Sequence, residues 1–143
     1  MSRSDNFKGW LIRFPDSNLT DKFFPHKLMK KESYQSTPLQ RTDIKNYRDN
    51  DYLLHRTTSP NHKTKIEFQT INLSLRQLEQ IQNCFDAATM NTKERKIRVE
   101  YWDEELLRYR TMTCYRPDIT YTTSTISKND IKYQPITIKF IEY

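Results

Sequence analysis

"IRVEYWDEELLRYRTMTCYRP", residues 97–117, places an alternating run on each side of three consecutive carboxylates. Ile97, Val99 and Tyr101 alternate with Arg98, Glu100 and Trp102. Past Asp103, Glu104 and Glu105, Leu107, Tyr109, Thr111 and Thr113 alternate with Arg108, Arg110, Met112 and Cys114. A period of two in β-branched and aromatic residues marks strands buried on one face. Two such runs joined by a short polar segment predict a β-hairpin whose connection, 103–105, is solvated. This reading turns Tyr109 toward the core and leaves Arg108 and Arg110 on the wet face.

Working outward, the sharpest local signal lies upstream in LSLRQL, 73–78. Ser74 with Gln77 three residues on makes a capping box, and Leu73 and Leu78 fit the hydrophobic staple that accompanies one. Leu75, Leu78, Ile81, Phe85 and Ala88 then recur at steps of three and four, the apolar stripe of a surface helix over about 74–89. KTKIEFQTI, 63–71, predicts a strand with Thr64, Ile66, Phe68 and Thr70 inward and Lys63, Lys65, Glu67 and Gln69 outward. KGWLIRFP, 8–15, predicts a first strand stopped by Pro15. ITYTTST (119–125) and the closing run with Ile136, Ile138 and Phe140 predict further strands, separated by the turn SKND at 127–130. Strands before and after a single helix make α+β: a mostly antiparallel β-sandwich or open barrel flanked by one helix.

Residues 18–60 carry Pro25 and Pro38, scattered charges and no sustained period. They predict short strands joined by a long, mobile polar loop with its tip at 41–52, RTDIKNYRDNDY. The 143 residues fit one domain over 1–143. Only 35% of residues are hydrophobic, yet 13% are aromatic, and that many rings need a place to be buried. A polar chain rich in aromatics implies a thin core and surface left for a partner.

Several functions are excluded by composition. With Gly9 as the one glycine, no phosphate-cradling loop, dinucleotide turn or nucleophile elbow can be written. Cys84 and Cys114 have no CxxC neighbour, and with no secretory segment near Met1 they are expected as free thiols of a reducing cytoplasm. His26, His55 and His62 are too scattered for metal-ligand spacing, and the acidic run lacks the alternation of a calcium loop, so neither a metal nor a cofactor is expected. A base–nucleophile pairing of His55 or His62 with Cys114 has no motif behind it, and no enzymatic activity is expected. No apolar run approaches the roughly 20 residues of a membrane span, so no membrane partner is expected.

A net charge of +6 permits an anionic partner, although charges of both signs are interleaved. The best nucleic-acid candidate is the basic and aromatic alternation Arg108-Tyr109-Arg110 with Arg116, in which rings stack on bases and guanidinium groups meet phosphates.

The order of these pieces is itself informative. Lys65-Ile66-Glu67, then Leu73-Ser74 opening a helix, Val99-Glu100-Tyr101 leading through Asp103 to Tyr115 and Asp118, and Ile141-Glu142 near the terminus together resemble small proteins encoded in the tail-gene region of tailed bacteriophages and prophages. The likeness covers 55–143 and departs where those proteins carry turn glycines; Pro117 stands at one such place. The resemblance implies a non-enzymatic structural subunit of the virion tail: a tube, terminator or baseplate component. Its implied partners are identical copies in a ring and neighbouring tail proteins, assembled in the host cytoplasm, with DNA passing through an acidic lumen. It points to Arg41, Lys45, Tyr47, Arg48 and Tyr52 at the loop tip and Asp103, Glu104 and Glu105 at the acidic turn as subunit contacts. A basic chain in such a ring turns its cations toward neighbours or outward.

Overall fold

The computed structural model describes the backbone of residues 2–20, 22–48, 54–91 and 93–143, and the side chains of 2–20, 22–38, 63–90 and 93–143. The strands are β1 (Ile12–Arg13), β2 (Gln35–Arg48), β3 (Leu54–Gln69), β4 (Leu73–Ser74), β5 (Thr89–Asn91), β6 (Lys96–Asp103), β7 (Arg108–Tyr115), β8 (Thr123–Ile126), β9 (Ile131–Tyr133) and β10 (Thr137–Glu142). Among the described residues the one α-helix is α1, Leu75–Ala88. A large antiparallel sheet runs β1-β6-β7-β10-β3-β2, with β5 also on β6, and a small one runs β4-β9-β8. This is the α+β architecture that the alternating runs imply.

Helix α1 starts where its capping box stands. Ser74 Oγ accepts from Gln77 N at 3.4 Å, and Gln77 Oε1 accepts from Ser74 N at 3.0 Å. A second cap comes from a distance: Asp130, in the turn before β9, accepts the Leu75 N–H at 3.1 Å, satisfying another donor that the first turn leaves open. The helix stops at Thr89, whose hydroxyl donates to Phe85 O at 2.6 Å as the chain turns into β5. Ile81, Cys84, Phe85 and Ala88 are buried as the stripe requires, but Leu75 is 43% exposed, because its turn is held by caps rather than by the core.

Aromatic content is explained by the core. Phe14, Phe85 and Phe140 meet edge-to-face, with centroids 6.1–6.2 Å apart, and Phe24 stands edge-on to Phe68 at 4.9 Å. Rings in this geometry add favourable quadrupole contacts to the area they bury, so a chain poor in aliphatics still fills the space between sheet and helix.

Two expectations for residues 18–60 are corrected. Residues 22–34 are pinned to the body: Phe24 and Leu28 are buried, Phe24 N donates to Ile12 O, and Ile71 N donates to Leu28 O. Residues 35–48 and 54–69 are not a loop but two paired strands. Backbone pairing supplies what side-chain alternation did not signal, since a ladder satisfies every second N–H and C=O whatever the side chains. From Gln40 and Lys63 to Arg48 and Leu54 this ladder joins only β2 and β3 among the described residues, and it runs roughly 25 Å past the point where β10 ends.

Candidate subunit-contact site

Strands β6 and β7 pair from Lys96↔Tyr115 to Asp103↔Arg108, so the four-residue turn is 104–107, with Leu107 in the left-handed region at φ 52°. The register fixes the phase of both strands. Ile97, Val99, Tyr101 and Asp103 share the core face with Cys114, Met112, Arg110 and Arg108. This corrects the predicted facing of β7, since Arg110 lies on the core side and Tyr109 on the opposite face.

Asp103 is not solvated. It is 0% exposed, with Oδ1 accepting from Glu105 N at 2.8 Å and Leu106 N at 3.2 Å while Oδ2 meets Arg110 Nη1 at 3.2 Å. The carboxylate organises its own turn and neutralises the inward arginine, a pairing that lets a charge be buried. Glu104 reaches across to β2, where its carboxylate accepts a hydrogen bond from Ser36 Oγ. Glu105 is exposed. The three carboxylates of one acidic run therefore stand in three different environments.

Around Asp103 and Glu104 lies a polar seam at the root of the hairpin. Thr64 Oγ1 and Tyr101 Oη are 3.1 Å apart, and Glu142 Oε1 accepts from Thr64 N at 2.9 Å. Tyr34 stacks on Phe68 at 6.0 Å, its buried hydroxyl without a hydrogen-bond partner among the described residues. Burial first, then the Glu104 charge, pushes that hydroxyl's pKa well above the usual tyrosine value. Burial likewise raises the Cys114 thiol, which donates to Ile97 O at 3.4 Å. Neither cysteine is in a disulfide.

On the opposite face of β6 and β7 the amino-terminal segment lies against a second aromatic cluster. Trp10 stacks on Tyr109 at 3.9 Å, Trp102 and Phe7 stand edge-to-face at 5.4 Å, and Tyr109 Oη donates to Trp10 O at 2.9 Å and accepts from Lys8 N at 2.9 Å. Gly9, at φ 91°, gives the chain the turn it needs to lie there.

The structure separates the residues read as a nucleic-acid surface. Arg108 is exposed beside the acidic turn, Tyr109 is engaged with Trp10, Arg110 is bound to Asp103, and Arg116 sits 4.6 Å over the Phe85 ring near the far end of β7. Of the residues read as subunit contacts, Arg41, Lys45, Tyr47 and Arg48 lie on β2, facing His62, Thr57, His55 and Leu54 in the ladder. Tyr52 lies outside the described residues. Glu104 joins the acidic turn to the root of this hairpin through Ser36, a residue that no sequence motif singled out. Among the described residues no three of His, Cys, Asp and Glu gather as a metal site needs, and no helix is long and apolar enough to cross a membrane.

This architecture is shared with a protein of an assembled particle. The chain is similar to one in the solved tail of an empty GTA (gene transfer agent) particle of C6 symmetry, with a TM-score of 0.52, 9% identity, and coverage of 96% of this chain and 94% of that one. At that identity the likeness is one of fold. The chain belongs to DUF6711, a family of unknown function, whose model matches residues 3–143. No curated protein matches the sequence.

Proposed function

We propose that this protein is a structural subunit of a phage-like particle tail, packed in a ring of identical copies with the β2–β3 hairpin as the arm that reaches a neighbour. The observation that carries this reading is the fold likeness, over nearly the full length of both chains, to a subunit of a C6-symmetric tail. The hairpin supports it further. A two-stranded ribbon is marginal in water by itself, and an edge strand such as β2 presents a row of backbone groups that another chain can pair with. The ring is heterologous: the arm of one copy meets a different surface on the next, and the rotation closes. Arg41, Lys45, Tyr47 and Arg48 are the arm's contacts, and the role is that of a tube, terminator or baseplate component.

Sedimentation and electron microscopy of the purified full chain test this, with closed rings or stacked rings as the expected result. Replacing 41–62 by a two-residue Asn-Gly turn is expected to leave a folded monomer, because the ladder below Gln40 and Lys63 is kept. A wild-type chain that stays monomeric at high concentration, and is missing from purified particles by mass spectrometry, refutes the reading.

A further inference from the structure

The longest uncharged run of the chain coincides with an exposed strand. Residues 119–127, ITYTTSTIS, hold no Asp, Glu, Lys or Arg in a sequence where 29% of residues are charged. They contain β8, which is exposed throughout, and Ile126 at its end is 76% exposed, more than any other large hydrophobic residue described. The tip that carries Ile126 is fixed. Ser127 N donates to Asp130 O at 2.9 Å across the turn, and Asp130 Oδ1 accepts from Ile131 N at 2.8 Å and Leu75 N at 3.1 Å, which ties the tip to the start of α1. An apolar side chain on a rigid turn gains by leaving water and loses little freedom when it is covered.

Single exposed hydrophobics are ordinary on a protein surface, but this one has a matching hollow on the same chain. The hollow, of about 200 Å³, lies between Leu19, Phe23 and Pro25 on one side and Gln80, Asn83 and Cys84 of α1 on the other. No charged residue is among its described lining. Its outer wall is held to β1, since Phe14 N donates to Lys22 O and Phe24 N to Ile12 O, and the Phe23 ring lies 5.4 Å from Trp10. An apolar void of ~150 Å³ admits benzene, so an isoleucine side chain fits a hollow of this size. A chain does not fill its own hollow: Ile126 is exposed, and no residue of 119–134 lines it. Tyr121 bonds to Gln82, about half a turn round α1 from Gln80 and Cys84.

We propose that Ile126 of one copy enters the hollow on α1 of the next, with β8 laid against Leu19 and Phe23. Both surfaces are uncharged, so their burial does not strip water from an ion. Knob and hollow are different surfaces of one chain, which makes the contact heterologous and repeats it from copy to copy. The choice of a second copy as the occupant rests on the proposed ring, which needs a head-to-tail contact, whereas the knob and the hollow belong to the single chain.

Sedimentation velocity of the full chain over a concentration series tests the contact. Ile126→Asp and Asn83→Arg are each expected to weaken association at least about tenfold, the first by charging the knob and the second by filling the hollow. Both positions are exposed, so each variant is expected to keep wild-type tryptophan emission. An equimolar mixture of the two holds one intact knob and one intact hollow, and is expected to give dimers at concentrations where each variant alone is monomeric. Met90→Asp, which charges an exposed residue outside both surfaces, is expected to leave association unchanged. Closed rings that survive both Ile126→Asp and Asn83→Arg overturn the contact and leave the ring standing. A mixture that stays monomeric, or a Met90→Asp loss as large as that of Ile126→Asp, also overturns the contact. Association that obeys these expectations but gives open chains, in a protein missing from purified particles, rejects the tail reading and leaves the contact standing. A wild-type chain that is monomeric at high concentration overturns both.

Discussion

Replacing Asp103 separates a structural carboxylate from a solvated turn. In Asp103→Ala two turn N–H groups lose their acceptor and Arg110, whose side chain is 29% exposed, loses its counter-charge in the core. Breaking a fully buried pair by removing one partner costs about 3–5 kcal/mol, and the solvent that reaches Arg110 lowers this toward about 2–4 kcal/mol. Asp103→Asn keeps an oxygen for the N–H groups but not the charge, so about 1–2 kcal/mol is expected. Arg110→Met removes the cation with less strain, and the Asp103→Asn/Arg110→Met double variant should be more stable than the sum of the singles by about 1–2 kcal/mol. Urea unfolding followed by tryptophan emission measures all four, with Trp102 next to the substituted residue as the reporter. If Asp103→Ala and Asp103→Asn both fall within about 0.5 kcal/mol of wild type, as surface substitutions do, the carboxylate is solvated and its role here is refuted.

Other outcomes follow from the same geometry. Phe85→Ala is expected to cost about 3–5 kcal/mol in a thermal or urea melt, because Phe85 touches Phe14 and Phe140 in the core centre, whereas Phe85→Leu keeps most of the volume and costs less. Ser74→Ala should cost about 1 kcal/mol by loss of the cap, and a change below about 0.3 kcal/mol would show that the remote Asp130 cap suffices alone. Tyr34→Phe should be neutral or stabilising in the same melt, since it deletes a buried hydroxyl that has no partner among the described residues, and a loss above about 1 kcal/mol contradicts this. His26 Nε2 accepts the Leu11 N–H at 3.0 Å and so must be neutral, and burial lowers its pKa below the usual 6.5. The unfolded chain then takes the proton first. This contribution is complete above pH 6.5 and is lost as pH falls through 6.5 toward the lower folded pKa. The loss of stability on going from about pH 7.5 to about pH 5.5 should be smaller in His26→Gln than in wild type.

How far the sequence can be read depends on the range of the interaction that decides each element. Helix α1 was legible to within a residue at each end, because its capping box is made between Ser74 and Gln77 and its stripe repeats within one turn. The inward set Thr64, Ile66, Phe68 and Thr70 was legible because one strand with one buried face writes a period of two into the chain. Strand β7 was legible as a strand but not in phase. Tyr109, Thr111 and Thr113 on one side and Met112 and Cys114 on the other both suit burial, and the choice falls to the Asp103↔Arg108 register and the left-handed Leu107.

Local sequence thus determined the helix and the antiparallel hairpin of β6 and β7, which rest on contacts between residues close in the chain, and it marked the buried face of β3 by a period of two, although the partners that cover that face are distant. Tertiary structure alone decided the rest. The pairing of 35–48 with 54–69, the burial of Asp103 against Arg110, the Asp130 cap and the Glu104–Ser36 hydrogen bond join residues whose types are ordinary on any surface. Backbone ladders and buried polar pairs depend on a partner brought near by the fold, and a polar residue has no pattern of its own that announces which partner that is.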